Sequence, residues 1–300
     1  MHNPDDLTFG FDPIYYKGKY PDLSHMTDEE ALQHFLTYGH NERRYQSAVA
    51  ARETLLPLIP TGVAVLEIGP FGAPQLAGEH VRYADYLSSE ELRERAPKHG
   101  YDPENCPIIH YVLRSMPLGL IDARFAAVFS SHCIEHQPDL ILHLQEVGRL
   151  LEEGAAYFLV VPDKRYCFDH FIPESDVADV LTAHAENRKL HSLRSILSAH
   201  SLTTHNDPQR HWNGDHGRPG IFERGRQTLT AAVEHYQNSI ERNEYVDVHA
   251  WQFTPKSFHD LCSQLFDLGL IPLYPETTGA TMCGRLEFCA ILRKGSRNTA

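Results

Sequence analysis

The chain has 300 residues, 42% hydrophobic and 22% charged, enough apolar material for a full core and the balance of a soluble globular protein. Its formal net charge of −13, from 27 basic against 40 acidic side chains, disfavours a nucleic-acid backbone or an anionic membrane as the main partner. No apolar run reaches the roughly 18 residues of a membrane span. The acidic, polar start is unlike a secretion signal, and the six cysteines form no C-x-x-C pair, so reduced thiols in a cytoplasmic protein are expected. The 20 histidines are the compositional anomaly.

In chain order, residues 1–46 form a small helical module. F-D-P-I-Y-Y-K-G-K-Y-P-D-L precedes a helix over 27–38 that opens with a capping-box-like T-D-E-E and closes at Gly39. Residues 47–169 then alternate helix and strand: a helix over 48–58, and strands over 63–68, 81–86, 108–113, 125–130 and 155–161. A further helix over 140–151 precedes the last of these. Strands separated by helices imply right-handed crossovers and a parallel sheet covered on both faces.

The first strand carries the most informative signal. It ends in Glu67 and breaks into a turn with Gly69, Pro70 and Gly72. Glycine at a strand end lets backbone approach a ligand where a side chain would collide. The same pattern also ends strands that bind nothing, and alone it leaves both readings open. The second strand ends near another acid, Asp85, eighteen residues after Glu67.

Residues 170–244 read as helical and polar without a good strand, with histidines concentrated in H-N-D-P-Q-R-H-W-N-G-D-H-G (205–217). Such an insertion is well placed to be a lid. The alternating pattern resumes in 245–295: Thr254 caps a helix with Pro255 in its first position. Strands over 271–274 and 286–292 follow, joined by a glycine-containing turn that suits an antiparallel hairpin.

Across about residues 48–292 the chain resembles class I S-adenosylmethionine-dependent methyltransferases. E-I-G-P-F-G (67–72) matches that family's first motif with two of three glycines, Pro70 and Phe71 being departures. Asp85 matches the ribose-binding acid, F-S-S-H-C-I-E-H (129–136) the fourth motif, and E-V-G-R-L-L-E-E-G (146–154) a degraded form of the segment before strand five. V-V-P-D-K-R-Y-C-F-D-H-F (160–171) and D-V-H-A-W-Q-F-T-P-K-S-F (247–258) resemble a subgroup associated with glycan biosynthesis, and the N-terminal module resembles one attached to polysaccharide-modifying enzymes. The resemblance implies a Rossmann-like α/β fold with a seven-stranded, mostly parallel sheet and an antiparallel last strand. It also implies S-adenosyl-L-methionine held by Glu67, Gly69, Pro70, Gly72, Asp85, Tyr86, Ser131, His132 and His136. The first turn lacks a full G-x-G-x-x-G, which favours that sulfonium over a nicotinamide cofactor, although Asp85 would suit either.

The implied reaction is O-methylation of a sugar or glycan intermediate. Methyl transfer to a hydroxyl needs an aligned nucleophile and removal of its proton. The loop after strand five and the segment before Thr254 should converge over the methyl group. The general base is expected to be His249 or His170, oriented by Asp163 or Asp169; Arg165 would hold the acceptor, and Trp251 or Tyr166 would stack on a sugar face. A salt-bridged structural loop is the competing reading of D-K-R-Y-C-F-D. Asp163, Asp169, His170, His249, His211, Asp215 and His216 are all ligand types for a divalent ion. No segment has a strong metal spacing such as H-E-x-x-H, so metal is left open but not favoured. Other acceptors (a small metabolite or a nitrogen) and a non-catalytic cofactor-binding scaffold remain alternatives, and a homodimer is left open.

Overall fold

The structure is a computed structural model that describes residues 4–114 and 117–295. Its centre is a seven-stranded sheet: β1 (Val65–Ile68), β2 (Val81–Asp85), β3 (Tyr111–Val112), β4 (Phe125–Ser131), β5 (Leu151–Pro162), β6 (Leu273–Thr278) and β7 (Glu287–Lys294). The spatial order is β3-β2-β1-β4-β5-β7-β6. β1 pairs in parallel with β2 and β4, with Val65 opposite both Val81 and Ala127. β7 runs antiparallel to β5 and to β6. The expected α/β class, mostly parallel sheet and antiparallel last strand are therefore all present.

Alternation along the strands gives the sheet two apolar faces. Leu66, Ile68, Val128, Tyr157 and Leu159 pack with Leu140, Leu144 and Phe258 on one side. Val65, Ala127, Phe129, Phe158 and Val160 pack with Leu55 and Ile59 on the other. Among the helices that cover these faces are α4 (Arg52–Leu55), α6 (Leu140–Leu150) and α12 (Pro255–Asp267), while α5 (Ser89–Arg95) packs Leu92 in a separate cluster with Leu87 and Cys106. Asp139 caps α6 by accepting from the Leu142 amide at 2.9 Å. Thr254 caps α12 ahead of Pro255, as its sequence predicts.

The N-terminal module holds α1 (Pro4–Thr8), α2 (Pro13–Lys19) and α3 (Asp28–His34) around Tyr16, Leu23, Ala31 and Phe35. Thr27 and Glu30 form the expected capping box. The helix widens to a π turn over Phe35–Gly39, where Gly39 lies against the Tyr16 hydroxyl and leaves no room for a Cβ. The insertion contributes α7 (Val177–Ala185), α8 (Leu193–Ser201), α9 (Pro208–Trp212), α10 (Gly220–Arg224) and α11 (Arg226–Arg242), with no strand among them. It is tied down by Trp212, whose ring stacks on Tyr166 at 4.0 Å, and by His184, whose Nδ1 lies 2.9 Å from Asp139.

Several boundaries differ from expectation for local reasons. The helix at 48–58 is an α turn followed by a 3₁₀ turn over Leu56–Leu58, which contains Pro57. The third strand contracts to two residues, and the fifth begins at Leu151, which pairs with Phe125 of β4 ahead of a bulge after which pairing resumes at Ala156 opposite Ala127. No helix among the described residues is long and apolar enough to cross a membrane.

Candidate functional site

Strand order reverses beside β1: its successors in sequence step outward through β2 to β3, then the chain returns to place β4 on the other side. Ligands of open α/β sheets bind beyond the strand carboxyl ends at such a switch. The turn after β1 sits there, with Gly69 at φ +71° and Phe71, a non-glycine, at φ +45°. Asp85 holds this turn from the end of β2. Its Oδ2 accepts from the Phe71 amide at 3.4 Å and its Oδ1 from the Leu87 amide at 3.0 Å, while burial raises its pKa against these bonds. A Cβ on Gly72 would come within 2.8 Å of Tyr101, and one on Gly69 would touch the Cys133 thiol at 3.4 Å. Pro70 is buried within the turn, and Ser131 is the half-buried last residue of β4. The turn after β1 and the loop after β4 are thus in contact.

Glu67 is placed differently from the direct ligand contact that the sequence suggests. Its two oxygens accept from the amides of Gln75 and Leu76, both at 2.9 Å. The carboxyl is buried, and burial pushes its pKa up to about 7 against the pull of these amides. It shapes the loop beyond the glycine turn. Tyr86 stands at the rim, its ring 5.0 Å from that of Tyr245.

The loop after β4 carries a second arrangement. Cys133 leads into a 3₁₀ turn over Ile134–His136. The main-chain oxygen of Glu135 accepts from the amides of Ala250 (2.7 Å) and Trp251 (3.1 Å), which clamps the segment holding His249 against this turn. The Glu135 side chain is fully buried, and neither carboxylate oxygen has a hydrogen-bond partner among the described residues. Around its Oε1 stand three imidazoles: His132 Nδ1 at 3.7 Å, His136 Nε2 at 3.8 Å and His249 Nε2 at 3.8 Å.

Each of these rings turns its other nitrogen to a carboxylate. His249 Nδ1 is 2.6 Å from Asp169 Oδ2, His136 Nδ1 is 3.1 Å from Asp247 Oδ1, and His132 Nε2 is 2.7 Å from Glu287 Oε2. Burial opposes charge on His136, yet Asp247 and Glu135 together raise its pKa. Burial likewise opposes charge on Glu287, but His132 and Arg52 outweigh it and hold the carboxyl down at about 2. The insertion's His191 is also buried here beside Tyr245, and burial lowers it to about 4.

The remaining sequence candidates lie in other surroundings. Asp163 is fully buried, paired with Arg165 at 2.7 Å and accepting from the Thr281 hydroxyl at 2.7 Å; Arg165 also reaches Asp6 of the N-terminal module at 2.7 Å. His170 bonds the Arg165 carbonyl through Nδ1 at 2.8 Å and stacks on His216 at 3.7 Å. Its side chain, with His211 and His216, forms a separate histidine cluster, while Asp215 pairs with Arg210. Trp251 is buried and donates to the Gln137 carbonyl, and Tyr166 is covered by Trp212, so neither offers a face to a sugar. A cavity of about 410 Å³ opens between Arg43, Tyr45, Gln209 and Arg285, lined by none of the switch-point residues.

Glu135 and Glu287 are the site residues absent from the sequence-based expectation. The available signal was H-x-x-E-H at 132–136, a pattern of two potential ligands around an acid. It is missed when histidine spacing is judged only against H-E-x-x-H.

No protein-family model and no curated protein sequence matches the chain. Solved structures similar to it include the CcbJ methyltransferase of Streptomyces caelestis, at 10% identity over 80% of this chain and 92% of that one, TM-score 0.38. A second is the magnesium protoporphyrin IX methyltransferase of Synechocystis PCC 6803 with bound SAH, at 10% identity over 78% and 75%, TM-score 0.34. A third is the mitomycin 7-O-methyltransferase MmcR, at 12% identity over 97% and 62%, TM-score 0.36. At such scores the fold assignment rests on the strand order itself.

Proposed function

We propose that the protein is an S-adenosylmethionine-dependent methyltransferase that acts on a hydroxyl of a sugar or glycan intermediate. The observation that carries this reading is the junction of two loops at the switch point: the Gly69–Gly72 turn braced by Asp85, and the Glu135–His136 turn clamped by the Ala250 and Trp251 amides next to His249. The first suits an adenosyl group. It offers a close-approach glycine backbone, with an acid and an aromatic ring, Asp85 and Tyr86, at the neighbouring strand end. The second suits a hydroxyl, because it concentrates imidazoles and carboxylates beside the first.

S-adenosylmethionine would supply a methyl group on a good sulfonium leaving group, and Gly69, Pro70, Gly72, Asp85, Tyr86 and Ser131 would hold it. Asp169 positions His249 and Asp247 positions His136, so the hydroxyl proton is loosened at this cluster. Asp163 and Arg165 anchor the loop after β5 to the N-terminal module, and the insertion closes over that loop as a lid.

Titration calorimetry with S-adenosylhomocysteine and with NAD, followed by transfer of a labelled methyl group to a panel of hydroxylated acceptors, tests this. Binding of the homocysteine compound alone and label on a sugar oxygen are expected. Failure to bind it at any concentration overturns the reading.

A further inference from the structure

Glu135 poses a physical problem. A carboxylate removed from water with no hydrogen bond costs several kcal/mol unless a cation or proton balances it. Here both oxygens are orphaned, while the facing imidazole nitrogens stand 3.7–3.8 Å from Oε1, too far for hydrogen bonds. The tautomers sharpen the point. With Nδ1–H of His249 donated to Asp169 and Nε2–H of His132 donated to Glu287, the nitrogens nearest Glu135 present lone pairs to a carboxylate. Lone pairs do not attract one another, whereas a cation among them attracts all.

We propose that Glu135, His136 and His249 bind a first-row divalent metal ion, open on one side to a hydroxyl of the acceptor. Ligand atoms of these three residues all lie within 4.8 Å of one another. Two ligands each ~2.1 Å from one ion stand roughly 3.4 Å apart at a tetrahedral angle, and more as it widens, so small movements suffice. Two imidazoles and one carboxylate suit Zn²⁺, Fe²⁺ or Co²⁺ better than Mg²⁺ or Ca²⁺. Carboxylates on the far nitrogens are the usual supports of ligating histidines, fixing tautomer and ring orientation. The main-chain clamp from Ala250 and Trp251 to Glu135 holds the two loops in register.

The His170–His211–His216 cluster is the weaker candidate. His170 and His216 stack nearly flat, 9° between planes, which sets their lone pairs side by side instead of converging. This inference rests on the proposed methyltransferase only for its ligand, the acceptor hydroxyl, which a bound ion would polarise. With the ion in place His249 acts on that hydroxyl through the metal, not as a free base.

The test is a Co²⁺ titration of chelator-treated full-length protein, followed by visible absorption and checked by elemental analysis of untreated protein. One ion per chain is expected, with d–d bands. Glu135→Gln and His249→Asn should each weaken binding by about 100-fold, Asp169→Asn by about 10–100-fold through its effect on the ring, and His211→Asn not at all. Circular dichroism confirms folding, and Asp169→Asn serves if Glu135→Gln does not fold. Absence of Co²⁺ binding by the wild type, or loss that follows His211→Asn instead, overturns the site. Calorimetry with S-adenosylhomocysteine on the same sample separates the two readings: donor binding without metal removes only the ion, and metal without donor removes only the methyltransferase.

Discussion

His249 and Asp169 lie eighty residues apart in sequence and meet through Nδ1 and Oδ2 at 2.6 Å, both buried. The pairing commits His249 to one tautomer and aims Nε2 at Glu135. Asp169→Asn should therefore reduce kcat about 10–100-fold with little change in affinity for S-adenosylhomocysteine. Steady-state kinetics beside calorimetry checks this; equal losses in both would make Asp169 a general packing residue.

Asp85 is expected to act on the donor alone. In Asp85→Ala the Phe71 and Leu87 amides lose their acceptor, the turn after β1 loosens, and the proposed ribose contact goes. Affinity for S-adenosylhomocysteine should fall at least ~10-fold, a loss of ~1.4 kcal/mol, while the Co²⁺ titration is unchanged. Calorimetry on folded variant protein measures it.

Asp163 and Arg165 should behave as anchors. Arg165→Met leaves the fully buried Asp163 without its cation, a change that costs about 3–5 kcal/mol in buried pairs. Denaturant unfolding should show that loss. A variant of full stability with no turnover would instead return Arg165 to acceptor binding.

Acid should weaken the fold partly through His143. Its ring is buried against the Tyr157 hydroxyl at 3.2 Å, and burial pushes its pKa down to about 4. Unfolded, it titrates near ~6.5. Between these values the unfolded chain binds more protons than the native one, so this stability is present above pH ~6.5 and lost as pH falls toward 4. His143→Gln should flatten melting temperature against pH in that window by at most one proton's worth, ~1.4 kcal/mol per unit. An unchanged slope would remove His143 as the cause.

Much of the fold was legible because its signals are local. Apolar runs of strand length, Thr254 before Pro255 and Thr27 ahead of Glu30 each act over a few residues, and the observed capping confirms them. The glycine turn and Asp85 could be placed at one sheet edge because parallel β1 and β2 end on the same side. Boundaries were less legible where neighbours decide, as in the strand that begins early at Leu151 because Phe125 of β4 pairs with it ahead of a bulge.

The site's chemistry belongs to the tertiary structure. Glu67, Asp163 and Glu135 are all acids at or just beyond strand ends, indistinguishable as residue types. Packing gives the first two amides, a guanidinium and a hydroxyl, and gives Glu135 only imidazoles at a distance. By itself the sequence determined which backbone segments become strands and helices, since hydrophobic period and capping are properties of neighbouring residues. Which acid is left to seek a cation depends on groups up to 152 residues away, as from Glu135 to Glu287 behind His132, because desolvation and Coulomb forces act through space.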